Sequence, residues 1–347
     1  MALIREKKIL IKPLITWIIG FIFFTAQAQK IEFLEGKAVS VAFHTSGTDS
    51  PSIQVFLAGG DTPLLGSSQK EGDTLRFRPT LPFQPGNKYL AVINAVDTTI
   101  FRVRFPDEPP PRVINLYPET AMLPENVLKL YLEFSQPMNA NAPYQYIKVL
   151  DQNGKGLSPY PILTLQPALW NEDNTILTLW MDPGRIKKDL MRNQVLGKPL
   201  KSGQNIRLVV SADWQSQMGM PLSETYQRTY NIGPAATERL NSGTWKVIAP
   251  RKGTLSPLII RFNEILDHQL LQECFSTPLP GTFKVGKGDQ SIEFVPETPW
   301  VTGNYPVRVE SRLEDLAGNN LNRPFDRDVY TQEKAENPAY TFFFTIK

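Results

Sequence analysis

Apolar and polar side chains alternate along short runs of this chain, and that period of two recurs from residue 30 to the last run of the sequence. Clear examples lie at residues 39–43, 53–57, 75–77, 128–134 and 305–309. A period of two places successive side chains on opposite faces of a β-sheet. No run sustains the 3.6-residue period of a long amphipathic helix, and the 30 prolines among 347 residues favour turns over helix interiors. The pattern therefore predicts an all-β protein built from antiparallel sandwiches.

Turn-rich joints divide the predicted strands into three segments, at residues 30–105, 112–233 and 244–347. Each segment is about as long as an independent sandwich domain. Residues 106–111 are rich in proline and predict a stiff, extended linker. In the second segment, the stretch from 151 to 200 is longer than a simple hairpin needs, and residues 185–192 suggest one short helix there. We expect three Ig-like antiparallel β-sandwich domains in series, the second with a long insertion.

The N-terminus has the pattern of a secretory signal peptide. Basic side chains between residues 5 and 12 precede an apolar stretch at residues 14–24, and Ala26 and Ala28 then fit a cleavage site. The apolar stretch is shorter than the roughly 20 residues that a membrane-spanning helix needs, although an uncleaved anchor is the alternative. We therefore expect residues 1–28 to be removed on export, with no membrane span in the remaining chain.

The charge of the predicted exported chain argues against nucleic acid as a partner. The full chain has 37 Lys and Arg against 34 Asp and Glu. The predicted signal peptide holds Arg5, Lys7, Lys8 and Lys12 against Glu6, so the chain that remains is formally neutral. Nucleic-acid binding needs a concentrated basic surface. We expect the partner to be a protein or a glycan of the cell envelope instead, and its identity stays unknown.

A common succession of strands and turns recurs in the segments. A strand that ends in Phe leads to a turn carrying Met or Leu and then Asn or Asp, at residues 134–139 and again at residues 262–267. A turn with Pro then leads to Gly and Tyr at the start of another strand, as at residues 86–89 and 303–305. In the third segment, residues 313–319 precede the last strand. Gly tolerates positive φ, and Asp or Asn bonds nearby backbone amides, so these positions are typical of turns.

These motifs resemble the SbsA-type family of bacterial Ig-like domains. The third segment resembles it most fully, since residues 262–267 and 315–319 both fit. The second segment keeps residues 134–139 and has a loose counterpart of the other motif at residues 213–219, and the first segment keeps the Pro–Gly–Tyr portion. The resemblance implies a β-sandwich that is repeated in envelope and secreted proteins as a spacer or adhesive module. It implies no catalytic residue.

Side chains suited to catalysis are few. The two histidines, His44 and His268, lie in different segments, and we expect both at the surface. A Ser-His-acid triad needs an oriented His, and a zinc site needs three or four N or S ligands. Cys274 is the single cysteine, and we expect a buried, inert thiol. We therefore expect no enzyme, no catalytic residue, no cofactor and no metal.

One loop in the second segment offers an alternative function. Glu172 and Asp173 follow Trp170 closely, and glycosidases use paired carboxylates while sugar-binding surfaces use flat aromatic faces. Trp170, Glu172 and Asp173 are therefore the candidate ligand-binding residues of a carbohydrate-binding or carbohydrate-cleaving protein. The simpler interpretation is a polar turn before a strand, with Trp in a sandwich core.

Calcium binding is a further possibility at one end of the third segment. Asp315, Asn319, Asp326 and Asp328 supply the oxygen ligands that calcium prefers. Their spacing lacks the pattern of a dedicated calcium loop, which favours an ordinary turn. The sequence as a whole favours an exported, non-catalytic protein with a structural, adhesive or interaction role in the bacterial cell envelope. Periplasmic, cell-surface and secreted locations all stay open.

Overall fold

The structure, a computed structural model, describes residues 29–34, 37–45, 51–105, 108–327 and 336–347. The predicted signal peptide and two residues of the predicted linker, Pro106 and Asp107, lie outside the described residues. The chain forms two compact units that divide between Val103 and Arg104. One β-sandwich lies in the first unit and two lie in the second, which confirms the predicted all-β, Ig-like fold class.

The described residues of the first sandwich form seven strands: β1 (Gln29–Leu34), β2 (Lys37–His44), β3 (Ile53–Leu57), β4 (Gly66–Glu71), β5 (Thr74–Pro79), β6 (Lys88–Ile93) and β7 (Asp97–Arg102). They form one sheet in the order β1-β2-β5-β4 and a second in the order β3-β6-β7. The two sheets share a core that includes Phe43, Val55, Phe77 and Phe101. These are the apolar positions of the alternating runs, so the period of two correctly marks the inner faces.

The second sandwich has eight strands: β8 (Val113–Tyr117), β9 (Met122–Pro124), β10 (Lys129–Phe134), β11 (Ile147–Leu150), β12 (Leu169–Trp170), β13 (Ile176–Trp180), β14 (Asn205–Val210) and β15 (Tyr226–Gly233). One sheet has the order β12-β13-β10-β8 and the other β11-β14-β15-β9. The short strand β9 runs parallel to β15, whereas the other pairs of this sandwich are antiparallel.

The insertion in the second sandwich carries two short helices, α1 (Pro183–Ile186) and α2 (Met191–Leu196), instead of the single helix predicted for residues 185–192. Lys187 has extended backbone angles and ends α1. The guanidinium of Arg185 is buried and donates hydrogen bonds to backbone carbonyls on both sides of it, those of Pro159, Tyr160, Gly197 and Lys198. The insertion is therefore a folded part of the sandwich.

In the part of the third sandwich that the structure describes there are seven strands and one α-helix: β16 (Lys246–Ile248), β17 (Leu258–Arg261), α3 (His268–Glu273), β18 (Phe275–Ser276), β19 (Gly281–Val285), β20 (Ser291–Pro296), β21 (Gly303–Glu310) and β22 (Ala339–Ile346). Its sheets have the orders β16-β17-β20-β19 and β18-β21-β22. Ile260, Phe294 and Val307 lie in its core.

All three sandwiches share one strand order. With β9 set aside, the first, second, fifth and fourth strands form one sheet of each sandwich, and the third, sixth and seventh strands form the other. This is the arrangement of a constant-type immunoglobulin domain. The chain is therefore a succession of three immunoglobulin-like sandwiches.

The repeated turn motifs pair with each other in the same way in the second and third sandwiches. Met138 pairs with Ser216 in the second, and Leu266 pairs with Asp315 in the third. The side chains of Ser216 and Asp315 each accept a hydrogen bond from the backbone N–H four residues later, at 3.2 Å and 2.9 Å. The position equivalent to Asp315 is therefore Ser216, which lies within residues 213–219, the loose counterpart of this motif in the second segment.

Candidate functional site at the junction of the second and third sandwiches

The third sandwich packs on the outer face of one sheet of the second sandwich. Strand β10 turns Leu130 and Leu132 into the core, so Tyr131 between them points outward. Tyr131 is nevertheless only 6% exposed, and its hydroxyl donates a 2.7 Å hydrogen bond to Oδ2 of Asp267 in the third sandwich. A buried tyrosine needs such a partner for its hydroxyl. The outer face of β10 is thus an interface between the two sandwiches.

An ion-pair cluster completes this contact. Nζ of Lys129 lies 2.8 Å from Glu314 and 3.4 Å from Asp267. Burial opposes the charge of Lys129, but the two carboxylates outweigh burial and raise the pKa of the ammonium group. Burial and the neighbouring Asp267 likewise raise the pKa of Tyr131, so its hydroxyl stays protonated and remains a donor. The junction therefore matches charge and hydrogen-bond roles across the two sandwiches.

Asp267 also fixes the start of α3. Its Oδ1 accepts hydrogen bonds from the backbone N–H groups of Gln269 and Leu270, so it acts as the N-cap of the helix. An acidic N-cap satisfies backbone donors that have no partner within the helix. Because one carboxylate both caps α3 and contacts β10, the helix is held at a set position on the outer face of the second sandwich.

His268, the next residue, lies in the junction and not at the surface as the sequence predicted. Its ring stacks on Tyr117 with 3.5 Å between ring centroids and 14° between planes. Its Nδ1 lies 2.7 Å from Oδ1 of Asp289. The surface position was predicted because the residues beside His268 are polar. The prediction was wrong because this polar stretch covers the second sandwich. His44, by contrast, is exposed as predicted.

Asp289 is itself unusual. It is 2% exposed and has a φ of 59°, in the left-handed region that non-glycine residues seldom adopt. Its Oδ2 has no hydrogen-bond partner among the described residues. Its neighbour His268 borders a cavity of about 500 Å³ that also touches Tyr117, Glu133, Gln269, Gln272 and Lys284. We call this cavity the junction cleft, since β8 and β10 form one side of it and α3 and β19 form the other.

The proposed calcium ligands divide into a turn and a separate contact. Asp315 accepts hydrogen bonds from the backbone of Ala317 and Asn319 and from the Asn319 amide group. The side-chain oxygen Oδ1 of Asn319 in turn accepts a hydrogen bond from the backbone N–H of Phe325. Asp326 accepts a hydrogen bond from the backbone of Lys188, and Asp328 lies outside the described residues. Asp315 and Asn319 therefore shape a turn, and burial raises the pKa of Asp315 to about 6.

Across the described part of the chain, no group of three or more His, Cys, Asp or Glu side chains is placed to hold a metal ion. Cys274 is buried, as predicted, and burial raises the pKa of its thiol to about 12. Within the same residues, no helix has the length and apolar content to cross a bilayer.

The candidate carbohydrate-binding residues lie on the hairpin between β12 and β13. The Trp170 ring is half-buried and packs beside Phe134 and Trp214, with 6.0 Å and 5.8 Å between ring centroids. Glu172 and Asp173 are exposed in the turn. The turn is shaped by other groups, since Asn171 accepts the N–H groups of residues 175 and 176. The structure thus brings Trp170 toward the core and the two carboxylates toward solvent, and the ligand-binding role stays a prediction.

The other tryptophans are mostly structural. Trp214 and Trp300 are buried, and their indole N–H groups donate to the carbonyls of Asn139 and Ser256. Trp180 is half-buried, with Nζ of Lys129 5.8 Å from its ring centroid. The contacts of Lys129 and Tyr131 with the third sandwich were not predicted from the sequence. The available signal was a large aromatic residue at an outward position of a strand, where a solvated face would favour smaller polar side chains.

No protein-family model matches the chain, and no curated protein matches it in sequence. The resemblance to the SbsA-type family therefore stays a prediction. Three solved structures are among those that are similar at low identity. The first is native alpha-2-macroglobulin from Escherichia coli, domains MG0-NIE-MG1, at 11% identity over 68% of this chain and 71% of that chain, with a TM-score of 0.23. The second is the N-terminal part of the bacterial S-layer protein SbsC, at 13% identity over 69% of this chain and 44% of that chain, with a TM-score of 0.24. The third is titin domains A168-A170, at 8% identity over 84% of this chain and 92% of that chain, with a TM-score of 0.27.

This chain spans less than half of the SbsC fragment. Because all three TM-scores lie below 0.5, the fold assignment rests on the strand order of the sandwiches themselves.

Proposed function

We propose that this chain is an exported, non-catalytic protein with a structural, adhesive or interaction role in the bacterial cell envelope. The observation that carries the proposal is that the acidic side chains at the junction form structural hydrogen bonds and ion pairs. Asp267 caps α3 and binds Tyr131 and Lys129, and Asp315 shapes a turn. Groups that would serve acid–base chemistry elsewhere instead hold two sandwiches together.

A fixed junction suits a structural or adhesive role for a physical reason. Sandwiches that are joined only by a linker reorient freely, so a surface formed by two of them does not persist. Here backbone hydrogen bonds also cross the junction, including one of 2.7 Å from Leu128 N–H to the carbonyl of Leu316. Such contacts keep the separation and the orientation of the second and third sandwiches constant, which a spacer or a display module requires.

The location follows from the predicted signal peptide, and the cell surface, the periplasm and the medium are alternatives within the proposal. The carbohydrate role of Trp170, Glu172 and Asp173 is the second candidate. It has less support, because the Trp170 ring packs beside Phe134 and Trp214 and offers little free aromatic face.

Cell fractionation tests the proposed role. An epitope-tagged chain expressed in a bacterial host is expected in the periplasm, the envelope fraction or the medium, and recovery in the cytosol alone would overturn the proposal. The non-catalytic part is tested with chromogenic glycosides and esters, for which no turnover is expected. Turnover by the purified chain would refute this part of the proposal, and its loss in His268→Ala but not in His44→Ala would place the active site at the junction.

A further inference from the structure

Asp289 combines three features that are each unfavourable, and the contact they support is the one with His268. The residue is buried, its φ of 59° lies in the left-handed region, and its Oδ2 has no hydrogen-bond partner within the described part of the chain. A non-glycine residue in that region and a buried acceptor without a partner both cost free energy. Strain and unsatisfied groups of this kind concentrate at functional sites.

The result is a histidine with a defined orientation. Asp289 engages Nδ1 of His268, and Tyr117 covers one face of the ring. Nε2 has no partner among the residues that the structure describes. A carboxylate on one nitrogen is the arrangement by which proteins fix the tautomer of a histidine and direct its other nitrogen to a ligand. His268 borders the junction cleft, so the cleft has one polar group whose position is set in advance.

The rest of the cleft indicates the chemistry of the ligand. Glu133 accepts hydrogen bonds, Lys284 donates them, and the amides of Gln269 and Gln272 do both. One acidic and one basic side chain give no net preference for a charged ligand. Tyr117 and Phe283 add aromatic surface. The volume of about 500 Å³ and the position between two sandwiches are those of small-molecule sites.

We infer that the junction cleft binds a neutral oligosaccharide. Sugar hydroxyls both donate and accept hydrogen bonds, which matches the mixed amide, carboxylate and ammonium lining. The C–H faces of a sugar ring are apolar and pack against aromatic surface. This inference deepens the proposed adhesive role and rests on it, because the cleft exists only while the second and third sandwiches stay together. It concerns residues other than the Trp170 loop.

The first experiment uses a microarray of neutral oligosaccharides probed with the purified chain, with titration calorimetry on the glycans that bind. Binding of at least one neutral oligosaccharide is expected. Binding to none of them, or only to charged glycans or to peptides included on the same array, would overturn the inference.

The second experiment places the site with two matched variants. Gln272→Ala removes an exposed helical glutamine at the cleft, and Gln194→Ala removes an exposed helical glutamine on α2. We expect Gln272→Ala to weaken binding about fivefold, the loss of one or two hydrogen bonds, with no change for Gln194→Ala. Equal affinities for the two variants would rule out the cleft. Envelope fractionation of Gln272→Ala separates the two proposals. Loss of glycan binding in this variant bears on the site, whereas recovery of the protein in the cytosol contradicts the proposed function and not the site.

Discussion

Asp267 shares its two carboxylate oxygens among four donors: the backbone of Gln269 and Leu270 on Oδ1, and Tyr131 and Lys129 on Oδ2. It is 4% exposed, so its charge has little access to water. A buried carboxylate is tolerated when donors surround it, and removing one of them leaves part of its desolvation uncompensated. The stability of the junction therefore depends on individual donors and not only on apolar contact.

Tyr131→Phe tests one of these donors. The substitution keeps the ring but removes the hydroxyl that donates to Asp267, so we expect a loss of about 2 kcal/mol in the free energy of unfolding. Urea unfolding measures the loss. Tyr226→Phe is the matched control, because Tyr226 lies in the same sandwich and its hydroxyl bonds to no other described residue. Equal stability of the two variants would show that the hydrogen bond to Asp267 contributes nothing.

Asp315 predicts a pH dependence. Burial raises its pKa to about 6 in the folded chain, above the value of about 3.9 in an unfolded chain. Between these values the folded state holds a proton that the unfolded state has released. The contribution of Asp315 to stability is therefore complete below about pH 4, falls as the pH rises to about 6, and is then constant.

Asp315→Asn removes this titration. We expect the stability of the wild type relative to the variant to fall by roughly 2 kcal/mol between pH 4 and pH 7, measured by urea unfolding at each pH. Other acidic groups are common to both proteins and cancel in the difference. A difference that is the same at both pH values would contradict the raised pKa.

At the residue scale, the sequence predicts burial better than it predicts partners. Cys274 and the inward side chains of the strands follow from composition and alternation. The role of His268 did not, because its contacts with Tyr117 and Asp289 join residues that are remote in sequence. Asp289 carries no sequence signal of its strained backbone, since Asp is also common in ordinary turns.

At the scale of elements, the turn that contains Gly318 joins the two sandwiches. Gly318 has a φ of 82°, and a Cβ placed there would lie 2.7 Å from Cδ2 of Leu128 in the second sandwich. Glycine is thus required twice, for the backbone conformation and for the close approach. Gly203 has a similar φ of 86°, but a Cβ there would meet nothing within 4 Å.

The two glycines form a matched pair of substitutions. Gly203→Ala is expected to lower the free energy of unfolding by about 1 kcal/mol through backbone strain alone. Gly318→Ala is expected to cost about 1–3 kcal/mol more, because Leu128 must also move or the sandwiches must separate slightly. Thermal unfolding of both variants measures the difference. A smaller loss in Gly318→Ala than in Gly203→Ala would show that the contact with Leu128 is easily relieved.

The longer antiparallel strands were predicted well from the sequence, whereas the short strands and the parallel strand pair were missed. Alternation marks β2, β5, β10 and β21 because each is long enough to show a period of two. The pairing of β9 with β15 involves three residues, too few for a pattern. Alternation also says which side chains enter a sandwich but not what covers the outer face, so the junction on β10 could not be predicted.

At the scale of the whole molecule, the five tryptophans that follow the predicted signal peptide all lie in the second and third sandwiches, at positions 170, 180, 214, 245 and 300. Tryptophan fluorescence of the exported chain therefore reports on the unit that contains the junction. Because backbone bonds and the Lys129 cluster tie these two sandwiches together, we expect them to unfold in a single cooperative transition.

Lys129→Met should break this cooperativity. The substitution keeps the length of the side chain but leaves the carboxylates of Asp267 and Glu314 without their cation, and these side chains are only 5% and 22% exposed. We expect the free energy of unfolding to fall by about 2 kcal/mol. This loss is below the usual range for a fully buried ion pair, because Glu314 retains some contact with water. Because the loss falls on contacts between the sandwiches, the urea transition should broaden or divide in two.

Lys148→Met, at an exposed position of β11, provides the control. A transition in Lys129→Met as steep as in that control, at the same midpoint, would show that the ion-pair cluster does not couple the sandwiches.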